Sequence, residues 1–143
     1  MREPDALVGD TGRTEAAAPA WTRLRRRADF QRAARGRRAN GVTFALQARA
    51  RAEAEVGEAS PRVGFTVTRK IGGAVERNRI RRRLKAALAA ASAIAPDAHS
   101  DYVLVARRPA LTRRFAALVA DVERAFAQIG RARPAATDRD PRS

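Results

Sequence analysis

Strict alternation marks the first clear element. Val42, Phe44, Leu46 and Ala48 fall on one side of an extended backbone, and Thr43, Ala45, Gln47 and Arg49 on the other, which predicts a strand. A second alternating run covers 62–68, with Val63, Phe65 and Val67 opposite Gly64, Thr66 and Thr68. Residues 101–107 (DYVLVAR) are apolar on both faces, as a buried central strand would be. Elsewhere the apolar period lengthens. Leu111, Phe115, Leu118, Val119, Val122, Phe126 and Ile129 keep helical spacing after Pro109 and up to Gly130. Ile80, Leu84, Ala87, Leu88, Ala91 and Ile94 do the same over a helix at 74–92. A short helix is expected between Asp29, as its N-cap, and Gly36, as its stop. With a short strand near 37–40, the pattern predicts an α+β domain. It has a single four-stranded mixed sheet and the order α-β-β-β-α-β-α.

This domain spans residues 21–130. Residues 1–20, rich in Ala, Gly, Pro and acids without periodicity, read as a disordered N-terminal tail, and 131–143 as a disordered C-terminal one. Residues 53–61 read as an acidic turn region. The N-terminus lacks the apolar core of a signal peptide, and no run is long and apolar enough to span a membrane. No cysteine is present, which excludes disulfides and thiolate metal sites. A cytoplasmic location is the expectation.

Charge changes the picture most. The chain carries +15 at pH 7, with a pI near 11.8. Residues 23–38 hold eight arginines against one aspartate, net +7. Residues 69–85 hold six arginines and two lysines against one glutamate, also +7. The rest contributes +1. Charge gathered this way points to a polyanion, nucleic acid before an anionic membrane.

The second cluster occupies the helix at 74–92. Asn78, Arg79, Arg81, Arg82, Arg83 and Lys85 fall outside its apolar arc, and Arg77 lies at the arc's edge in the first turn. Pairs such as Arg79–Arg83 and Arg81–Lys85 sit at repulsive i,i+4 spacing and crowd the positive end of the helix dipole. That cost is offset when phosphates bind, and arginine suits forked hydrogen bonds to them. The preceding RKIGG adds Arg69, Lys70 and two glycines at a helix N-terminus, where backbone can approach a phosphate closely.

Three segments, ADFQRAARGRR, RVGFTVTRKIGGAVERNRIRRRLKAAL and DYVLVARRPA, together resemble the protein subunit of bacterial ribonuclease P. The Arg77-Asn78-Arg79 core looks like that family's signature, and the similarity runs from about Leu24 to Phe126. The resemblance implies a protein that binds a large catalytic RNA. The holoenzyme removes the 5′ leader of precursor tRNA, with magnesium held by the RNA and no cofactor bound by the protein. It implies an RNA-contacting set of Arg69, Lys70, Arg77, Asn78, Arg79, Arg81, Arg82 and Lys85. It implies a cleft for the single-stranded leader lined by Phe30, Gln47, Arg49, Thr66 and Thr68. It also implies a fold like the second domain of ribosomal protein S5, with the rare left-handed β-α-β crossover. This chain departs from the family at Ala34 and Gln47, where some relatives carry aromatics. Phe30 is then the aromatic left for stacking. Parity along the strands places Phe44, Leu46, Val63, Phe65 and Val67 under the two long helices. Ala45, Gln47, Arg49, Thr66 and Thr68 then face the short helix and the leader.

No catalytic or metal-binding residue is expected in the chain. His99, the only histidine, lies between Asp97 and Asp101 in a loop and reads as a surface residue. Two-metal phosphodiester cleavage needs several converging carboxylates, and only Asp29 and Glu76 fall within the basic clusters. A basic ribosomal-type RNA-binding protein is the alternative reading. A DNA major-groove reader fits less well, because its recognition helix mixes polar residues that read base edges.

Overall fold

The computed structural model describes residues 21–52 and 60–131. The expectations for 1–20 and 132–143, and for most of the acidic turn, lie outside the described residues. Among these residues ten elements follow one another: β1 (Thr22–Arg23), α1 (Arg27–Ala34), β2 (Arg37–Asn40), β3 (Phe44–Ala50), β4 (Arg62–Thr66), a 3-10 turn (Arg69–Ile71), α2 (Ala74–Ala90), β5 (Ser100–Ala106), a second 3-10 turn (Arg108–Leu111) and α3 (Phe115–Arg131). The strands form one mixed sheet in the order β1-β4-β5-β3-β2. β4 pairs in parallel with β1 and with β5, while β3 runs antiparallel to both β5 and β2.

Alternation along the strands sorts the two faces. Phe44, Leu46, Ala48, Val63, Tyr102 and Leu104 share one core with Ile80, Leu84 and Leu88 of α2 and Leu118, Val122, Phe126 and Ile129 of α3. Phe65 and Val67 pack against its margin. On the other face, α1 covers a smaller cluster of Leu24, Ala33 and Val103, with Phe30 and Val105 beside it. Thr66 is paired with Val105, and Gly64 with Val103, which sets Thr66 on the α1 side. The expected division of the faces holds. The doubly apolar run became β5, which lies between β4 and β3 with helices over both faces.

Four expectations are corrected. Among the described residues the sheet has five strands, because Thr22 and Arg23 add a short edge strand beside Arg62 and Val63. Two residues are too few to show a period. Asp29 does not cap α1: the helix begins at Arg27 after Arg26, and Asp29 is buried in the first turn. Its carboxylate accepts from Arg32 of the same helix and faces Arg49 and Arg62 of the sheet, rather than bonding backbone N–H groups. Leu111 belongs to a 3-10 turn, not to α3. Finally, Gly130 and Arg131 continue α3. There the Arg37 guanidinium donates to the Ile129 carbonyl at 3.2 Å, which satisfies an acceptor that the helix end leaves open. Gly36 does end α1 as expected. A Cβ there would collide with the Ala48 carbonyl, so glycine lets the chain turn against β3.

Candidate nucleic-acid interface

Helix α2 reconciles its charge with folding by dividing its circumference. Ile80 and Leu84 are fully buried, and Ala87 and Leu88 lie with them against the sheet. Each large side chain so buried contributes about 1.5–3 kcal/mol, against a few tenths for each repulsive pair. Burial wins, and the basic residues are carried at tolerable cost. They do not form one uniform surface. Asn78, Arg79, Arg82 and Lys85 are exposed, whereas Arg77, Arg81 and Arg83 are half-buried. Arg83 turns toward α3: its Nε donates to the Ala110 carbonyl at 3.0 Å, and its guanidinium also reaches the Arg113 carbonyl. Arg77 Nε donates to Gly72 O at 3.2 Å. Arg81 donates to Asn78 Oδ1 at 2.7 Å. None of Arg79, Arg82 and Lys85 has an acidic partner among the described residues.

The entrance to α2 is fixed by its one acid. Glu76 accepts from the Gly73 backbone N–H at 3.3 Å and pairs with both terminal nitrogens of Arg108, at 2.8 and 2.9 Å. Arg108 donates as well to the Ile71 carbonyl at 2.6 Å. The hydrogen bond from Arg108 holds the Glu76 carboxyl below the ordinary carboxylate range, and Glu76 in turn raises the Arg108 guanidinium. A Cβ on Gly72 would meet Glu76 Oε1 and Arg108 Nη1, whereas one on Gly73 would meet nothing within 4 Å. The two glycines therefore differ: Gly72 admits an internal ion pair, and Gly73 leaves backbone open. The clamp holds the turn that carries Arg69 and Lys70, both exposed and without an acidic partner among the described residues.

The expected leader-cleft residues share the α1 side of the sheet but not one environment. Thr68 is exposed and Thr66 half-buried. Phe30 lies over Gly64, where a Cβ would come within 2.5 Å of the ring. Gln47 is 8% exposed. Arg49 is held under α1, with Asp29 at 3.8 Å and Asp101 at 3.7 Å. It belongs to an ion network. Asp101, fully buried, accepts from Arg51 at 3.0 Å and takes a forked pair from Arg62 at 2.7 and 2.8 Å. Arg62 also faces Asp29 at 3.6 Å, and Arg32 bonds Asp29 at 3.1 Å. Asp29 of α1 and Asp101 of β5 are thus joined through arginines of β3 and β4.

Sequence reasoning missed this network. Asp101 was grouped with His99 and Asp97, and the three part company in the fold. His99 is exposed. Asp97 accepts from Ser100 Oγ at 2.6 Å, a bond that keeps its carboxyl low, and its N–H donates to Tyr102 Oη. A signal was available, since Arg49, Arg51 and Arg62 lie outside both basic clusters and at strand ends. Among the described residues no group of three or more His, Asp or Glu side chains could hold a metal ion. Nor is any helix among them long and apolar enough to cross a membrane.

The fold has counterparts among known proteins. The fold resembles that of the RNase P protein from Staphylococcus aureus, with a TM-score of 0.59 and 26% identity over 76% of this chain and 94% of that one. It also resembles the Thermotoga maritima RNase P protein, with a TM-score of 0.61 and 22% identity, covering 74% and 96% of the two chains. In sequence the chain is 44% identical over 117 residues to the ribonuclease P protein component of Brucella suis, 78% of this chain and 82% of its relative. The ribonuclease P family model matches residues 19–130, a span that contains every element described above except the last residue of α3. The chain belongs to the family of ribonuclease P protein components, the protein subunits of an endoribonuclease.

Proposed function

We propose that this chain binds the catalytic RNA of a ribonuclease P holoenzyme and contacts the 5′ leader of precursor tRNA. The observation that carries this reading is the acid-free outer face of α2. Asn78, Arg79, Arg82 and Lys85 are exposed on a helix anchored by its opposite side, with Arg69 and Lys70 at its entrance. Phosphates are the natural counter-charge for cations fixed at this spacing. Arg77 and Arg81, half-buried and tied to neighbouring oxygens, complete the RNA-facing set.

The leader lies on the α1 side, along Phe30, Thr66 and Thr68, with Gln47 and Arg49 as the floor beneath. Phe30 offers a ring for stacking, and the threonines offer hydroxyls to the backbone. Because Arg49 is shared between Asp29 and Asp101, its charge is partly spent on the fold, and leader affinity rests on fewer contacts. The buried carboxylates are occupied by arginine, so the residues present do not fit a protein-held metal cage. The magnesium ions of the reaction belong to the RNA in this reading.

Cleavage of precursor tRNA with and without a bacterial catalytic RNA tests the proposal. We expect leader removal only when the RNA is present, and stronger substrate binding when the protein joins it. Cleavage by rigorously purified protein alone, abolished by a point substitution in the protein, would overturn it. So would capture of ribosomal RNA in place of the catalytic RNA.

A further inference from the structure

The sheet has an unfinished edge. β1 pairs only with Arg62 and Val63, and the Leu24 N–H bonds the Val63 carbonyl. Among the described residues, β4 has no neighbouring strand on that side from Gly64 onward. At this edge lies a cavity of about 330 Å³, between the segment leading into α1 and the near flank of α2. Helical geometry explains which α2 residues reach it. Arg83 marks the flank toward α3. Arg81, Lys85 and Ala89, at i, i+4 and i+8, mark the opposite flank and line the cavity.

The walls combine two chemistries. Trp21, Phe30 and Phe65 contribute aromatic rings and Leu88 an aliphatic side chain. Arg81, Lys85 and Arg23 contribute cations, and no acidic residue among the described ones lines the space. The Trp21 ring is fixed from behind by edge contacts to Tyr102 and Phe126, with centroids 5.8 and 5.9 Å away. A cavity of this size, mostly apolar and with cations on one flank, suits a small planar ring bearing an anionic group.

We infer that this cavity holds one nucleotide unit, its base among Trp21, Phe30 and Phe65 and its phosphate against Arg81 and Lys85. The choice of a nucleotide rests on the RNA-binding reading above. The unit comes either from an unpaired position of a bound RNA or from a free nucleoside monophosphate. The site shares Arg81 and Lys85 with the RNA-facing set and Phe30 with the leader face, but it excludes Arg79 and Arg82 and lies around the sheet edge from Gln47 and Arg49.

Trp21 is the only tryptophan, so its emission reports directly on the cavity. The full chain would be titrated with UMP and AMP, and in parallel with uridine and inorganic phosphate. We expect a saturable change with the monophosphates, and binding at least about tenfold weaker with either half alone. Arg81→Ala combined with Lys85→Ala should weaken the monophosphates by about tenfold. Ala89→Phe should fill the cavity and abolish the response; should that variant fold poorly, Lys85→Ala alone, at an exposed position, gives the same reading in part. No saturable change, equal affinity for inorganic phosphate, or a response that survives Ala89→Phe overturns the site. If Ala89→Phe also weakens binding of the catalytic RNA severalfold, the nucleotide is RNA-borne; if RNA binding is unchanged, the site takes free nucleotides. Failure of the wild-type chain to bind catalytic RNA would refute the general reading instead, and the titration separates the two outcomes.

Discussion

The arginines beneath α1 and those on the outer face of α2 are the same chemical group in opposite circumstances. Arg49, Arg51 and Arg62 converge on Asp101 and Asp29, at distances from 2.7 to 3.8 Å and largely out of solvent. Arg79 and Arg82 stand in solvent with no acid beside them among the described residues. In the first group, Arg49 and Arg62 fasten α1 to the sheet, and Arg51 ties Asp101 to the neighbouring loops. The second contributes nothing comparable to the fold and strains its own helix. Charge that is compensated internally belongs to the structure, and charge left uncompensated, at a cost, is available to a partner. Counting cations along the chain finds the second group and misses the first.

The sharpest way to break this contrast is to remove an acid. Asp101→Ala should leave three arginines around a buried space and lower the stability by roughly 3–5 kcal/mol. Chemical denaturation measures it, and a loss below about 1 kcal/mol would show that the network is dispensable. Removing a cation from the other group should do the reverse. Arg79→Ala is expected to weaken binding of the catalytic RNA several-fold and to reduce its salt slope by about 1, while the thermal midpoint holds or rises. A large drop in midpoint would make Arg79 structural. For the wild type, about five to eight phosphate contacts give a log–log salt slope of roughly −4 to −7, depending on how much of the RNA is helical. A slope near −1 would remove the outer face of α2 as the main contact.

The smallest effect concerns the one acid of α2. The Glu76 carboxyl is held low by Arg108. Its contribution to the helix entrance is therefore complete above the ordinary carboxylate range and is lost as pH falls through the lowered folded-state value. Arg108→Ala should return the Glu76 titration, followed by carboxyl NMR, toward the ordinary range. If the titration does not move, the Arg108 contact is not what sets it.

Part of this protein was determined by the sequence alone. Strand period, helix period and two dense cation clusters are local properties, carried by residues a few positions apart, and they set the element types and the polyanion partner. The Arg77-Asn78-Arg79 run that carries the resemblance is equally local. The rest depended on which distant residues meet. The edge strand at Thr22–Arg23 exists because Arg62 and Val63 lie beside it. Arg37 and Arg83, each within a basic cluster, point to backbone carbonyls of α3 or of the turn before it, because helix packing brings those acceptors within reach. Asp29 and Asp101, 72 positions apart, share arginines only once α1 lies on β3 and β5. An ion pair depends on distance in space. Whether a given arginine serves the fold or is left for a partner was therefore decided by tertiary structure.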